Sequence, residues 1–167
     1  MAAGNTYEAI STTTISSSTA TITLSSIPAT YTDLILITTA KISGTADMWI
    51  RVNGDSGSNY QYAVLTGDGS SFGAPKGASQ SNGLLTDWNG TPTTDNSHLV
   101  ICQFNSYAST NNRKNMISRA NRVVGGVDFI VSTWNNTSAI TSLTLRFSGA
   151  QTFDADTVVS LYGIKAA

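Results

Sequence analysis

Charged side chains are scarce in this chain of 167 residues. Only 11% of the residues are Asp, Glu, Lys or Arg, against roughly 25% in an ordinary soluble domain, while the hydrophobic fraction of 40% is near normal. The chain has one histidine and one cysteine, so few side chains can transfer protons, act as nucleophiles or bind a metal ion. The composition therefore argues against an enzyme. It suits a surface that meets other proteins, where every buried charge would need a partner.

The single cysteine and the single histidine do not read as a catalytic pair. Cys102 cannot form a disulfide within the chain, and it lies in the apolar segment HLVICQF. His98 and Cys102 would share one face of a strand, but four residues at roughly 3.3 Å each place them about 13 Å apart. We therefore interpret Cys102 as a small buried hydrophobe and predict no catalytic residue.

The carboxylates are few, and they are not paired in the sequence. Asp47, Asp55 and Asp68 lie near glycine-rich turns, but the spacing and the terminal glutamate of a calcium-binding EF-hand loop are missing. We interpret these residues as shaping turns, with a structural cation as the alternative. Glu8 is the only glutamate, and nothing marks the second carboxylate that glycoside hydrolysis needs. No metal site and no cofactor are predicted.

Partners that require strong charge or long apolar runs are also disfavoured. The net charge of −1 provides no basic excess for nucleic acid, and we interpret the basic segment NNRKNMISRANR as a solvated strand and turn. The start, MAAGNTYEAISTTT, lacks the basic and apolar regions of a secretory signal. The longest apolar run, Leu34–Ile37, is far shorter than a membrane span. We expect no membrane partner and synthesis in a cytoplasm.

Period-two alternation dominates the chain, and no long window shows a helical stripe. Met48, Ile50 and Val52 are predicted to face inward, and the near-continuous apolar strand over Tyr31–Ala40 is predicted to be buried on both faces. Ser16–Ser18 reads as the turn of a hairpin between strands at 7–15 and 19–25. The pattern predicts an all-β fold: one jelly-roll-like antiparallel β-sandwich of about ten strands.

Two segments stand apart from this regular pattern. We predict an N-terminal arm over 1–6, ahead of a sandwich domain over 7–167 with a long loop over 66–97. The loop is rich in Gly, Ser and Asn, with one short strand at about 83–87; loops of this length are often functional. Exposed aromatic residues in such segments favour partner contact, although Trp88 could instead be part of the core. The candidate contact residues are Tyr7, Phe72, Trp88 and Asn89.

Both ends of the chain resemble a known family. The stretches SSIPATYTDLILITTAKIS and DMWIRVNGDSGSNYQYAVLTGDGSS, with TWNNTSAITSLTLRFSGAQTF and SLYGIKAA near the other end, are similar to small virion structural proteins of tailed bacteriophages, especially phages of marine and freshwater bacteria. The resemblance covers about two thirds of the chain, and the segment 70–127 departs from it most.

The resemblance implies a β-sandwich module of a virus particle. Proteins of this kind are decoration (cement) proteins, head fibres or tail fibres. The short chain, without the heptads of a fibre shaft, favours a capsid decoration (cement) protein that binds the major capsid protein lattice and other virion proteins, located on the capsid surface after synthesis in the host cytoplasm. The resemblance also implies a homo-oligomer, with a trimer favoured. The alternatives are a tail-fibre or receptor-binding module that recognises host surface glycan, and a carbohydrate-binding module unconnected with virions.

Overall fold

The computed structural model describes residues 6–88, 90–94, 98–122 and 125–165. Over these residues the chain contains strands and turns but no helix, and it forms a single compact β-sandwich, which confirms the predicted fold class. The strands are β1 (Tyr7–Thr14), β2 (Thr21–Leu24), β3 (Asp33–Ala40), β4 (Met48–Val52), β5 (Tyr60–Gly67), β6 (Phe72–Gly73), β7 (Lys76–Gln80), β8 (Gly83–Leu84), β9 (His98–Asn105), β10 (Lys114–Arg122), β11 (Gly126–Trp134), β12 (Leu143–Phe147) and β13 (Val158–Ile164).

The two sheets are unequal in size. The larger sheet has nine strands in the order β1-β13-β3-β9-β10-β11-β5-β6, with β7 also paired to β5. The smaller sheet has four strands in the order β2-β12-β4-β8, and all strand pairs are antiparallel. Because the smaller sheet covers one face of the larger, the opposite face of the nine-stranded sheet has no layer over it within the described chain.

The core lies between the sheets, where strict alternation brings one side chain in two inward. Met48, Ile50 and Val52 are fully buried, as predicted, and strand β12 adds Leu143 and Leu145 beside them. Strands β3, β9 and β13 contribute the facing layer of apolar side chains from the larger sheet: Leu34, Leu36, Val100, Cys102, Phe104, Val159 and Leu161.

The predicted hairpin between the first two strands is wrong. Strand β1 pairs with β13 in the larger sheet, whereas β2 pairs with β12 in the smaller one. The segment 15–20 therefore crosses from one sheet to the other. Ile15 N donates to Thr157 O at 2.8 Å, and Thr19 N donates to Phe153 O at 3.0 Å. The chain does bend at Ser16 and Ser17, but the strands on either side of this bend pair with strands near the other end of the chain.

The interpretation of the loop over 66–97 needs correction. Strand β5 continues to Gly67, and β6, β7 and β8 follow within the supposed loop, so the described chain has thirteen strands rather than about ten. The short strand predicted at 83–87 is present as β8, at Gly83–Leu84. The others were missed because two to five residues rich in Gly and Ser carry no clear alternation.

Strand β3 is also less buried than predicted. Leu34 and Leu36 are fully buried, but Ile35 and Ile37 point to the uncovered face and are only half-buried. The predicted arm over 1–6 lies outside the described residues except for Thr6, whose carbonyl oxygen accepts a hydrogen bond from Lys165 N at 3.1 Å. In the described part of the chain no helix is long and apolar enough to cross a membrane.

Candidate functional site

Phe72 and Trp88, which are far apart in sequence, lie side by side in the structure. They line a small cleft of about 150 Å³ together with Thr66, Asp68 and Ser71. Phe72 is 94% exposed and Trp88 is 78% exposed, so neither belongs to the core. The structure thus brings two of the predicted contact residues into one feature, which we call the aromatic cleft.

A tight hairpin between β5 and β6 presents Phe72. The carboxylate of Asp68 accepts hydrogen bonds from Ser70 N at 2.8 Å and from Ser71 N at 2.6 Å, and Gly69 supplies the positive φ of 88° that the turn requires. These amide hydrogen bonds hold the pKa of Asp68 below its ordinary value. Asp68 therefore acts as a turn residue, as the sequence indicated, with its carboxylate occupied by the backbone.

A buried carboxylate holds the turn that carries Trp88. Asp128 is 3% exposed, and its Oδ2 accepts hydrogen bonds from Asp87 N at 2.7 Å and Gly90 N at 2.9 Å. Its Oδ1 accepts a hydrogen bond from Thr66 Oγ1 at 2.5 Å. Burial raises the pKa of Asp128, although these three hydrogen bonds work in the opposite direction. The backbone on both sides of Trp88 is therefore tied to strand β11.

The turn at Trp88 leaves little room for a side chain at Gly90. A Cβ atom on Gly90 would lie 2.4 Å from Asp128 Oδ2, so one of the two would have to move, and 3.1 Å from the Cβ of Ala120, which is a tight contact. One residue further on, Thr91 Oγ1 donates to Asp47 Oδ1 at 2.6 Å. The exposed indole of Trp88 therefore projects from a well-anchored turn.

The other two predicted contact residues do not join this cleft. Tyr7 is 57% exposed, but it lies on β1, at the opposite edge of the nine-stranded sheet from β6. Asn89 lies outside the described residues. Tyr7 and the aromatic cleft are thus separate features of the surface.

The uncovered face of the nine-stranded sheet is unusually apolar, which the alternation in the sequence did not predict. Antiparallel sheets usually present polar side chains to solvent. Here Leu65, Val127 and Phe129 are 63%, 60% and 43% exposed, and Leu99 and Val131 are 41% and 38% exposed. Large exposed apolar patches mark interaction sites on soluble proteins.

The strand register places these side chains in three adjacent rows, because directly paired residues point to the same face of an antiparallel sheet. We call these rows, from β5 across to β3, the outer face. The first row is Gly67, Val127, Asn121, Leu99 and Thr39; the second is Leu65, Phe129, Arg119, Ile101 and Ile37; the third is Ala63, Val131, Ile117, Gln103 and Ile35.

The outer face and the aromatic cleft meet at β6. Phe72 pairs with Gly67, which in turn pairs with Val127, so the phenyl ring extends the first row by one strand. A shallow groove of about 550 Å³ runs beside it, with Leu65, Leu99 and Phe129 in its lining. Arg119 is the only charged residue in the three rows.

The sequence of strand β11 contains a pattern that could have indicated the outer face. In VDFIVSTW the inward positions are Asp128, Ile130 and Ser132, whereas the outward positions hold Val127 and Phe129 together with Val131. Apolar side chains therefore occur on both faces of the strand, and the buried face is the more polar one. Alternation alone identifies two faces without saying which of them a second layer covers.

His98, Cys102 and Asp55 are not brought together by the fold. His98 and Cys102 both point into the core from β9, and burial raises the pKa of the Cys102 thiol. Asp55 Oδ2 accepts a hydrogen bond from the indole N–H of Trp134 at 2.7 Å, and Asp55 Oδ1 accepts one from Gly57 N at 2.8 Å. Within the described residues, no group of three or more His, Cys, Asp or Glu side chains is placed to hold a metal ion.

The basic segment is only partly solvated. Lys114 is 1% exposed, and its ammonium group donates to the carbonyl oxygens of Ser109 at 2.5 Å, Asn112 at 2.7 Å and Thr137 at 3.1 Å. Burial lowers the pKa of Lys114. Arg113 and Arg119 are exposed, so the predicted solvated strand applies to them and not to Lys114.

The sequence was also compared with known proteins. No protein-family model matches it, and no curated protein matches it.

Proposed function

We propose that this chain is a structural protein of a tailed-phage particle, namely a capsid decoration protein that binds the major capsid protein lattice and stabilises the head. Its place would then be the capsid surface, reached after synthesis in the host cytoplasm. The proposal starts from the resemblance of both ends of the chain to small virion structural proteins. In this role it is not an enzyme and needs no cofactor and no nucleic acid.

One observation supports a role in protein contact more than any other: the apolar outer face joins an exposed aromatic cleft. Aromatic side chains in such positions are typical anchors of protein interfaces. The hydrogen bonds from Asp87 and Gly90 to Asp128 preorganise the Trp88 turn, which reduces the entropy lost on binding. A decoration protein also binds in many copies, so symmetry multiplies contacts that are individually weak.

Immunogold labelling of particles from the virus that encodes this chain tests the proposal directly. With an antibody against the chain, we expect gold over the whole head and a copy number comparable to that of the major capsid protein. Label confined to the tail, or absence of the chain from purified particles, would contradict a decoration role. Antibody adsorbed with the recombinant chain is the control for specificity.

A second candidate function is recognition of host surface glycan by a tail-fibre or receptor-binding module. The aromatic cleft favours it, because exposed Phe and Trp rings can stack on sugar rings. A glycan array comparing the unmodified chain with Trp88→Ala tests this function. Binding of a defined glycan by the unmodified chain, lost in Trp88→Ala, would support glycan recognition. If no glycan binds, a protein remains the candidate partner of the aromatic cleft.

A further inference from the structure

We propose that the outer face binds a second copy of this chain, around a two-fold axis that runs nearly parallel to strand β11. The two nine-stranded sheets would then pack face to face, and the smaller sheets would lie on the outside of the dimer. A two-fold dimer departs from the trimer that the resemblance favours. It does not depend on where in a virus particle the protein works.

The area that would be buried reaches the least that a specific contact between proteins requires. The axis brings five strand positions of one copy, from β6 and β7 across to β9, over those of the other. At about 4.8 Å spacing they give a width of about 24 Å, and three rows two residues apart give a length of about 20 Å. Each copy would thus contribute about 500 Å², or about 1,000 Å² for the pair, which is the lower bound for a biological interface. Phe72, at 94% exposure, lies at one margin of this area.

The shape of the face favours a copy of itself over an unrelated surface. Sheets in face-to-face contact pack about 10 Å apart with strands crossing at about 30°, an angle set by the twist of each sheet. Two copies of one sheet have the same twist by definition. Interfaces between identical chains are also the most apolar class, in line with the exposed Leu65, Val127 and Phe129.

Charge on the outer face permits this pairing. An axis along β11 exchanges β5 with β10 and β6 with β9, as the strand order requires. Arg119 of one copy then lies over Leu65 of the other. The backbones of the two Arg119 residues are about 14 Å apart, because they are separated by two strand spacings within the sheets and by about 10 Å between the sheets. Lys76, paired with Ala63 at the rim, would lie over the uncharged Gln103. The net charge of −1 per chain adds little repulsion.

The same two-fold axis determines which residues meet at the centre of the dimer interface. Val127 and Phe129 lie on the axis strand, so each meets its own counterpart. Phe72 of one copy lies over Leu99 of the other, because β6 and β9 are equally distant from β11 in the sheet order. The exposed apolar side chains of the outer face and Phe72 would therefore be covered together, whereas Trp88 and Tyr7 lie outside this contact.

The mass of the purified chain in solution tests the proposal. We expect sedimentation or light scattering at micromolar concentration to give a dimer, and Phe129→Arg to give a monomer with an unchanged circular dichroism spectrum. Its melting temperature should no longer depend on protein concentration, because the dimer that stabilises the folded chain is lost. Thr12→Arg is the matched control, because Thr12 lies on the same face and in the same row but at the β1 edge; it should remain a dimer. A monomeric or trimeric wild type, or a Phe129→Arg variant that stays dimeric, would overturn the inference.

Cross-linking identifies the axis independently of mass. The only native thiol, Cys102, is fully buried, so an introduced cysteine is the only accessible one. Phe129→Cys treated with a short bis-maleimide should form a covalent dimer in high yield. Thr23→Cys, which is exposed on the smaller sheet, should not. Equal yields for the two variants would contradict an axis at β11. Neither result bears on the copy number in particles, so this inference and the proposed function fail separately.

Discussion

Asp128 and Gly90 are joined by a hydrogen bond of 2.9 Å from the backbone N–H of Gly90 to the buried carboxylate of Asp128. This bond connects the turn that carries Trp88 with strand β11 of the outer face. The geometry of the aromatic cleft therefore depends on a side chain that is only 3% exposed.

Protonation of the Asp128 carboxylate should contribute to the pH dependence of the free energy of unfolding. Because burial raises its pKa in the folded state, the folded chain binds a proton at a higher pH than the unfolded chain does. Between that raised pKa and the ordinary value of 3.8, this residue makes the free energy of unfolding rise as the pH falls. Denaturant titrations at several pH values should show a smaller rise in Asp128→Asn, where only other buried carboxylates such as Asp47, whose pKa burial also raises, still contribute. Identical pH profiles for both proteins would contradict this assignment.

Gly90→Ala should distort the Trp88 turn. The added Cβ would lie 2.4 Å from Asp128 Oδ2, so the turn must move and its hydrogen bonds must weaken. We expect a lower melting temperature and a shifted Trp fluorescence spectrum. Gly44→Ala is the control, because its Cβ would meet only the flexible side chain of Gln151, at 3.0 Å. Equal melting temperatures for the two variants would count against a tight turn at Gly90.

Trp88→Ala and Trp134→Ala should separate binding from folding. Trp88 is 78% exposed, so its removal should change the stability by no more than about 0.5 kcal/mol. If it is a binding anchor, the same variant should weaken attachment to particles by about 2 kcal/mol or more. Trp134 is 2% exposed, and its truncation should cost about 3–5 kcal/mol of stability. Thermal unfolding and particle occupancy measure the two effects; full occupancy with Trp88→Ala would remove this residue from the contact.

Lys114→Met should destabilise the fold although it removes a charge from the interior. The ammonium group satisfies three carbonyl oxygens, of Ser109, Asn112 and Thr137, and methionine offers no donor. These hydrogen bonds are part-buried, so leaving their acceptors unpaired should cost no more than about 1–3 kcal/mol, the cost for a fully buried group. Arg113→Ala, at the exposed neighbouring position, should have little effect in the same chemical unfolding assay. A stabilised Lys114→Met protein would show that the desolvation cost of the lysine outweighs these hydrogen bonds.

Local alternation identified most of the core but not the partners of each strand. Met48, Ile50 and Val52 face inward as their spacing predicts, because a half-buried strand repeats every two residues. Strand β1 pairs with β13, and Tyr7 lies opposite Ile164. No local pattern can indicate a pairing across nearly the whole chain, and for that reason the serine turn was mistaken for a hairpin.

The candidate site could be predicted only in part. Phe72 and Trp88 stood out as aromatic residues in a polar segment, and both are exposed. That they share one cleft follows from the Asp128 hydrogen bonds and the β5–β6 pairing, which depend on tertiary structure. The outer face was not predicted because the sequence alone does not distinguish Val127 and Phe129 from core residues. Which face of a strand a second layer covers is decided by the arrangement of the sheets.

The pairing of Tyr7 with Ile164 also has a practical consequence for the design of fusion proteins from this chain. Both ends of the sandwich leave at one edge strand pair, whereas Phe72 lies at the opposite edge of the same sheet. A peptide or reporter attached at either end would emerge from the same corner and leave the outer face open. A short flexible linker could equally join the two ends, so that new termini can be opened at the Gly69 turn to place a fused cargo beside the aromatic cleft.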